Sequence, residues 1–161
     1  MMYAIDINAD VGEGINNEAQ LLPYLSSCNI ACGGHAGTIK TMTEVVQMAK
    51  EHKVKVGAHP SYPDKENFGR KQMDLSFSAL YTSLKEQIEL LQTIAREQHV
   101  LLHHVKPHGA LYNEAAKNKE VAQVVIEVMK RFHMPLKLYV PDGSVIAELA
   151  FEENIPILYE A

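Results

Sequence analysis

Short runs of alternating or continuous apolar residues recur along this 161-residue chain, and longer stretches of helical spacing separate them. Tyr3 to Asn8, Asn29 to Cys32, Val54 to Ala58, Val100 to Val105, Leu136 to Val140 and Ile155 to Tyr159 read as six strands. Between them, a helix over about 39–52 places Ile39, Met42, Val45, Val46 and Ala49 on one stripe, with Thr38 as its N-cap. The longest stretch, about 77–98, follows Ser76 and aligns Leu80, Leu84, Ile88, Leu91 and Ala95. Leu75 and Leu80 are spaced there for a hydrophobic staple. Further helices begin after Asn118 (Val121, Val124, Val125, Val128, Phe132) and after Gly143 (Ile146, Leu149, Ala150). Strand and helix in alternation imply βα units around a parallel sheet, and these stripes are core faces.

The polar residues carry the functional signal. Asp6-Ile7-Asn8-Ala9-Asp10-Val11-Gly12-Glu13-Gly14, Cys32-Gly33-Gly34-His35-Ala36-Gly37, Gly57-Ala58-His59-Pro60 and His104-Val105-Lys106-Pro107-His108-Gly109 all lie where a strand runs out into a loop. In a parallel sheet the loops after the strand C-termini gather on one side, so four such tips build one polar pocket. Parity sharpens this, because alternate residues of a strand face opposite ways. Asp6, Asn8 and Asp10 share one face while Ile5, Ile7 and Val11 share the face turned to the helices. Lys55, Gly57 and His59 likewise oppose Val54, Val56 and Ala58, and His104, Lys106 and His108 oppose His103 and Val105. The loop over 60–76, with Pro60, Pro63 and Gly69, follows His59 directly and is long enough for a lid or binding loop.

Composition narrows the field. With 47% hydrophobic and 22% charged residues, the chain can bury the core of one domain spanning 1–161. A net charge of -5 gives no basic footprint for nucleic acid. Cys28 and Cys32, four apart on a strand, would sit about 13 Å from one another, too far for a disulfide, so reduced thiols are expected. There is no signal-peptide pattern and no apolar stretch long enough for a bilayer, so the expectation is a cytoplasmic protein with no membrane partner. No GxxxxGK[ST] run and no Gly-x-Ser-x-Gly elbow occurs, which removes the P-loop and serine-hydrolase classes.

Two chemistries fit carboxylates and histidines gathered in this way. In one, an Asp and two His (Asp10, His35 and His59) hold a divalent metal whose open position activates water. In the other, histidine and carboxylate work as general acid and base without metal, and Lys106 stabilises negative charge. Spacing alone does not separate them. Asp10 and Glu13 can also serve simply as caps, Asp6 as a buried hydrogen-bond hub, and His52, His99 and His133 as charges at helix ends.

Taken together, the four polar segments, with Asn29 to Gly37, Gly57 to Asp64, Phe68-Gly69-Arg70 and His104 to Asn113, resemble the successive signatures of the LamB/YcsF family. The resemblance runs in order from residue 5 to the end of the chain. It implies an irregular β/α barrel of the glycoside hydrolase/deacetylase kind, with parallel strands inside and helices outside. It also implies ATP-dependent opening of 5-oxoproline to L-glutamate, with ATP as cosubstrate and two partner subunits of a 5-oxoprolinase. Carried over by position, the pocket draws on Asp6, Asn8, Asp10, Glu13, His35, His59, Lys106, His108 and Tyr112. Asp10 or His59 would be the base on water, His108 the acid at the leaving nitrogen, and Lys106 the group facing phosphoryl or oxyanion charge, while Asp6, Asn8, Glu13, His35 and Tyr112 bind substrate. Family members continue past the position of Glu160 into a further acidic motif, so the expectation is a C-terminally shortened barrel. Its six strands fall short of eight, and its free edges could pair with a second copy. A metal-dependent deacetylase and a non-catalytic assembly protein are the competing classes.

Overall fold

In the computed structural model, which describes residues 5–132 and 136–160, six parallel strands form one sheet in the order β1-β2-β3-β4-β5-β6. They are β1 (Asn8–Val11), β2 (Ser27–Ala31), β3 (Lys55–His59), β4 (His104–Val105), β5 (Lys137–Pro141) and β6 (Ile157–Glu160). Six α-helices accompany them, α1 (Glu18–Leu21), α2 (Ile39–Glu51), α3 (Phe77–Glu97), α4 (Gly109–Lys117), α5 (Lys119–Arg131) and α6 (Val145–Glu152), with a short 3-10 turn at Leu22–Tyr24. The sheet is curled into a half-barrel. Its curl is visible in the bond from the Tyr139 hydroxyl on β5 to the Asp6 carboxylate just before β1, 3.2 Å long.

Local chemistry accounts for most of the elements. Thr38, Ser76, Asn118 and Ser144 each accept a backbone N–H at the start of α2, α3, α5 and α6, satisfying donors the first helical turn leaves free. Met42, Val45, Val46 and Ala49 of α2 and Leu80, Leu84, Ile88, Leu91 and Ala95 of α3 are buried as their spacing predicts. Ile39 is the exception. At the first position of α2 it remains 63% exposed, so that stripe is covered only from its second member onward.

The first strand lies later than its alternation predicts. Pairing with β2 begins at Asn8↔Ser27, and Ile5 and Ile7 are 82% and 53% exposed and do not pack against helices. β1 is an edge strand, and although the Ile7 carbonyl accepts the N–H groups of Ser26 and Ser27, the side chains before the strand stay exposed, so alternation there does not report burial. Tyr3, with which the predicted strand starts, and His133 lie outside the described residues. β4 is also shorter than predicted, although His103 and Lys106 extend its ladder with N–H bonds to Val56 and Ala58 carbonyls.

The inner face of the half-barrel is polar, and one glycine makes that possible. Gly57 of β3 faces the ring of His104 on β4 so closely that a Cβ there would collide with the imidazole. That gap lets His104 Nε2 reach across to Asn29 Oδ1 on β2, 2.6 Å away. Asn29 in turn bonds Asn8 and Asp10, so one partly buried network ties β1, β2 and β4 together across β3. Cys28 and Cys32 are free and buried, and burial pushes both thiols up to about 12.

Candidate active site

Every group of the cluster stands at the C-terminal end of a strand or in the loop that follows it. Asp10 lies in β1, Glu13 two residues beyond it and His35 four residues beyond β2. His59 ends β3, Lys106 follows β4, and Glu160 ends β6. His108 is the N-cap residue of α4, yet it makes no side-chain cap bond. Its ring is turned into the site instead, with Nδ1 3.0 Å from His59 Nε2 and Nε2 2.9 Å from the Phe68 carbonyl.

Glu13 is the centre of the cluster. Its Oε1 lies 2.7 Å from His35 Nε2, 3.5 Å from His108 Nδ1 and 3.8 Å from His59 Nε2. The rings of His35 and His108 stack with centroids 3.6 Å apart, and His59 meets both edge-on. Burial favours the neutral carboxyl of Glu13, but the bond from His35 and the neighbouring imidazoles outweigh it and hold Glu13 below its ordinary value. Burial, opposed by Glu13, lowers His35, and burial with the neighbouring imidazoles brings His108 down to about 4. Among the described residues, Nδ1 of His35 is a buried polar atom with no hydrogen-bond partner.

Asp10 and Lys106 form the rim. Asp10 Oδ1 lies 3.4 Å from His59 Nε2 and 3.6 Å from Lys106 Nζ, and it accepts a 2.8 Å bond from Asn29. Burial works against its charge, yet the His59 ring beside it, the bond from Asn29 and the charge of Lys106 prevail, holding the carboxyl well below the usual range. Lys106 Nζ also reaches Glu160 Oε1 at 2.8 Å, and the Tyr112 hydroxyl donates to Glu160 Oε2 at 2.8 Å. Burial and that carboxylate raise the phenol of Tyr112.

The loop after β3 forms one wall, as its length and prolines predict. Ser61 and Tyr62 are buried, and Gln87 of α3 clasps Ser61 with a bond to its N–H and another to its carbonyl. Phe68, at φ 56° in the left-handed region, sets its ring edge-on to His35 and His108. A bulky residue in that conformation costs roughly 1–2 kcal/mol, a strain offset in part by the contact of its carbonyl with His108.

Of the residues singled out in the sequence, Glu13, His35, His59 and His108 converge with Asp10 and Lys106 at the rim. Tyr112 joins through Glu160. Asp6 and Asn8 lie just before and at the start of β1, apart from the clustered histidines, with Asp6 exposed and Asn8 half-buried. Asp6 accepts from Ser27 and Tyr139, Asn8 exchanges bonds with Asn29, and both line a cavity of about 430 Å³ with Tyr139, Leu158, Tyr159 and Glu160. Four members of these networks escape sequence reasoning: Ser27, Asn29, Tyr139 and Glu160. Asn29 has a signal, as it and Ser27 are polar at alternate positions of an apolar strand. His104 falls on the predicted inner face, and burial with the neighbouring His103 and His59 rings and the lysines Lys106 and Lys55 pulls it down to about 3.

A curled sheet of parallel strands, helices outside and a pocket of imidazoles, carboxylates and a lysine at the strand C-termini, defines a β/α-barrel-type protein with an enzyme-like site. The LamB/YcsF family model matches residues 5–161, and the chain belongs to that family. It is 46% identical over 159 residues to a 5-oxoprolinase subunit from Haemophilus influenzae and 40% identical to one from Neisseria meningitidis. Each match covers 99% of this chain and 65% of the relative, so the chain spans about two thirds of the length of these curated relatives. A solved lactam utilization protein from Thermus thermophilus superposes with a TM-score of 0.95 at 38% identity, over 99% of this chain and 66% of that one. A cellobiose-phosphate cleavage protein from Enterococcus faecalis, so described with the qualifier putative, shares the fold at TM-score 0.61 and 14% identity, over 94% of this chain and 65% of that one.

Proposed function

We propose that this chain carries the pocket of a 5-oxoprolinase, which opens 5-oxoproline to L-glutamate with hydrolysis of ATP in company with two partner subunits. The observation that carries this reading is the convergence of Asp10, Glu13, His35, His59, Lys106 and His108 at one barrel mouth. Identity of 40–46% to relatives named as a 5-oxoprolinase subunit supports it.

A five-membered lactam is a poor electrophile, and glutamate recloses readily, so the opening needs an energy source. Transfer of the terminal phosphoryl group of ATP to the amide oxygen makes the ring carbon open to attack. Water adds there, the C–N bond breaks with a proton delivered to nitrogen, and the resulting acyl phosphate yields its phosphate to a second water. Lys106, with the N–H groups of the glycine turns, faces the phosphoryl or oxyanion charge. Water stands beside Asp10 Oδ1 and His59 Nε2, and in a metal-free site its proton passes to His59 while His108 serves the leaving nitrogen. A second reading is favoured by the way His59 Nε2 and His108 Nδ1 face each other: the same nitrogens hold a divalent ion, which would acidify the attacking water.

The test is ATP-dependent release of glutamate from 5-oxoproline by this chain combined with the two partner subunits. Turnover that requires the chain, and that falls in Asp10→Asn and Lys106→Ala, is expected. Turnover unaffected by either substitution would overturn the reading.

A further inference from the structure

The ring nitrogens of His59 and His108 are engaged on one side and bare on the other. His59 Nδ1 lies 2.7 Å from the Lys106 carbonyl oxygen, and His108 Nε2 lies 2.9 Å from that of Phe68. A carbonyl only accepts, so both nitrogens carry protons. In neutral imidazoles the opposite nitrogens, His59 Nε2 and His108 Nδ1, are then lone-pair atoms, and they face one another at 3.0 Å. Two acceptors at that separation repel unless something positive lies between them. Glu13 Oε1, an acceptor as a carboxylate, closes a triangle with them at 3.5 Å and 3.8 Å. These three edges bracket the roughly 3.3 Å expected between two ligands bonded at about 2.0–2.1 Å to a tetrahedral ion.

We propose that His59 Nε2, His108 Nδ1 and Glu13 Oε1 are three ligands of a divalent first-row transition ion of the zinc type. His35, whose Nε2 lies 2.7 Å from Glu13 Oε1, is a positioning residue that holds the carboxylate toward the two imidazoles. The Lys106 and Phe68 carbonyls play the same part for His59 and His108, fixing the tautomers that leave the correct nitrogen bare. Two imidazoles and one carboxylate select a borderline ion over magnesium or calcium, which take oxygen ligands. Asp10 Oδ1, 3.4 Å from His59 Nε2, borders the fourth position, where a water can sit. The set differs from the Asp-and-two-His group expected from the sequence, because Glu13 and His108 converge where Asp10 stays at the rim. The proposal rests on donor geometry and stands whatever the substrate is.

The test needs neither partner subunits nor substrate. Metal content of the purified chain is measured by plasma mass spectrometry. The chelator-treated chain is then titrated with Zn²⁺, Mn²⁺, Co²⁺ and Ni²⁺ by calorimetry, with the rise in Tm as a second readout. One ion per chain is expected. His59→Ala and His108→Ala should lose at least about 100-fold in affinity and His35→Asn about 10–100-fold, the range for an outer-shell partner. His52→Ala, at the exposed C-terminus of α2, should bind as the unsubstituted chain does. Glu13→Gln guards against loss of fold, since it keeps the side chain's size and, with circular dichroism unchanged, must still weaken binding. No uptake of any of these ions at millimolar concentration, or equal uptake in Glu13→Gln and His52→Ala, would overturn the proposal and leave a shared proton between the two imidazoles.

Discussion

Lys106 sits between the carboxylates of Asp10 and Glu160, and it holds its place on the inner face because the ladder of β4 continues through its N–H to the Ala58 carbonyl. If the proposed function holds and its ammonium faces charge that grows during reaction, Lys106→Ala should lower kcat by about 10²–10³-fold with the partner subunits present, with a smaller change in KM. An equal effect confined to KM would make it a ground-state contact only. His104, by contrast, lies outside the cluster and its effect is on stability. Burial, with the His103 and His59 rings and the ammonium groups of Lys106 and Lys55 nearby, brings it down to about 3, whereas in an unfolded chain it titrates near 6.5. Between those values the unfolded chain binds a proton the folded chain refuses. Its contribution is therefore complete above about pH 6.5 and is lost as pH falls toward 3. His104→Gln, which can keep a donor to Asn29, should reduce proton uptake on unfolding at pH 5 by about one per molecule, measured from the pH dependence of urea stability. Unchanged uptake would show that His104 is already charged in the fold.

At the scale of elements, caps and stripes are legible in the sequence, and so is the inner parity of Asn8, Asp10, Gly57, His59, His104, Lys106 and His108. Capping residues and period-2 alternation act locally, so a local reading recovers them. α4 is not foreseen. Its N-cap is His108, whose ring turns toward His59 instead of capping, so the usual oxygen-bearing cap signal is missing there. Asn29, Tyr139 and Glu160 escape because their partners are Asn8, Asp6 and Lys106, 21, 133 and 54 positions away, which no local pattern records. The loop after β3 shows how a residue outside the cluster, Gln87 of α3, can govern one of its walls. Gln87→Ala would strip Ser61 of both backbone partners in a buried place, at about 2–4 kcal/mol for the pair. The expected result is lower urea stability together with faster proteolysis within 60–70. Stability equal to the parent chain would mean that the loop is held by Phe68 and Gly69 instead.

For the molecule as a whole, the question is what keeps a six-stranded sheet curled when β1 and β6 each pair on one side only among the described residues. Helices packed on the outer face supply the apolar area, with α5 touching α3, α4 and α6. They do not by themselves bring β5 toward the start of the chain. Tyr139 does, because its hydroxyl reaches both Ser27 at 3.2 Å and Asp6 at 3.2 Å across the inside of the curl. Burial raises its phenol, so the group is a neutral donor at working pH. Tyr139→Phe keeps the ring against His104 but removes both bonds, and it should cost about 1–3 kcal/mol in urea unfolding. Because Asp6 loses one of its two partners in the same step and keeps only Ser27, Asp6→Asn in the Tyr139→Phe background should cost less than Asp6→Asn alone. Additive losses would mean that the two strand groups are held independently, and that the curl is fixed by helix packing and the Asn29 network instead of by this bond.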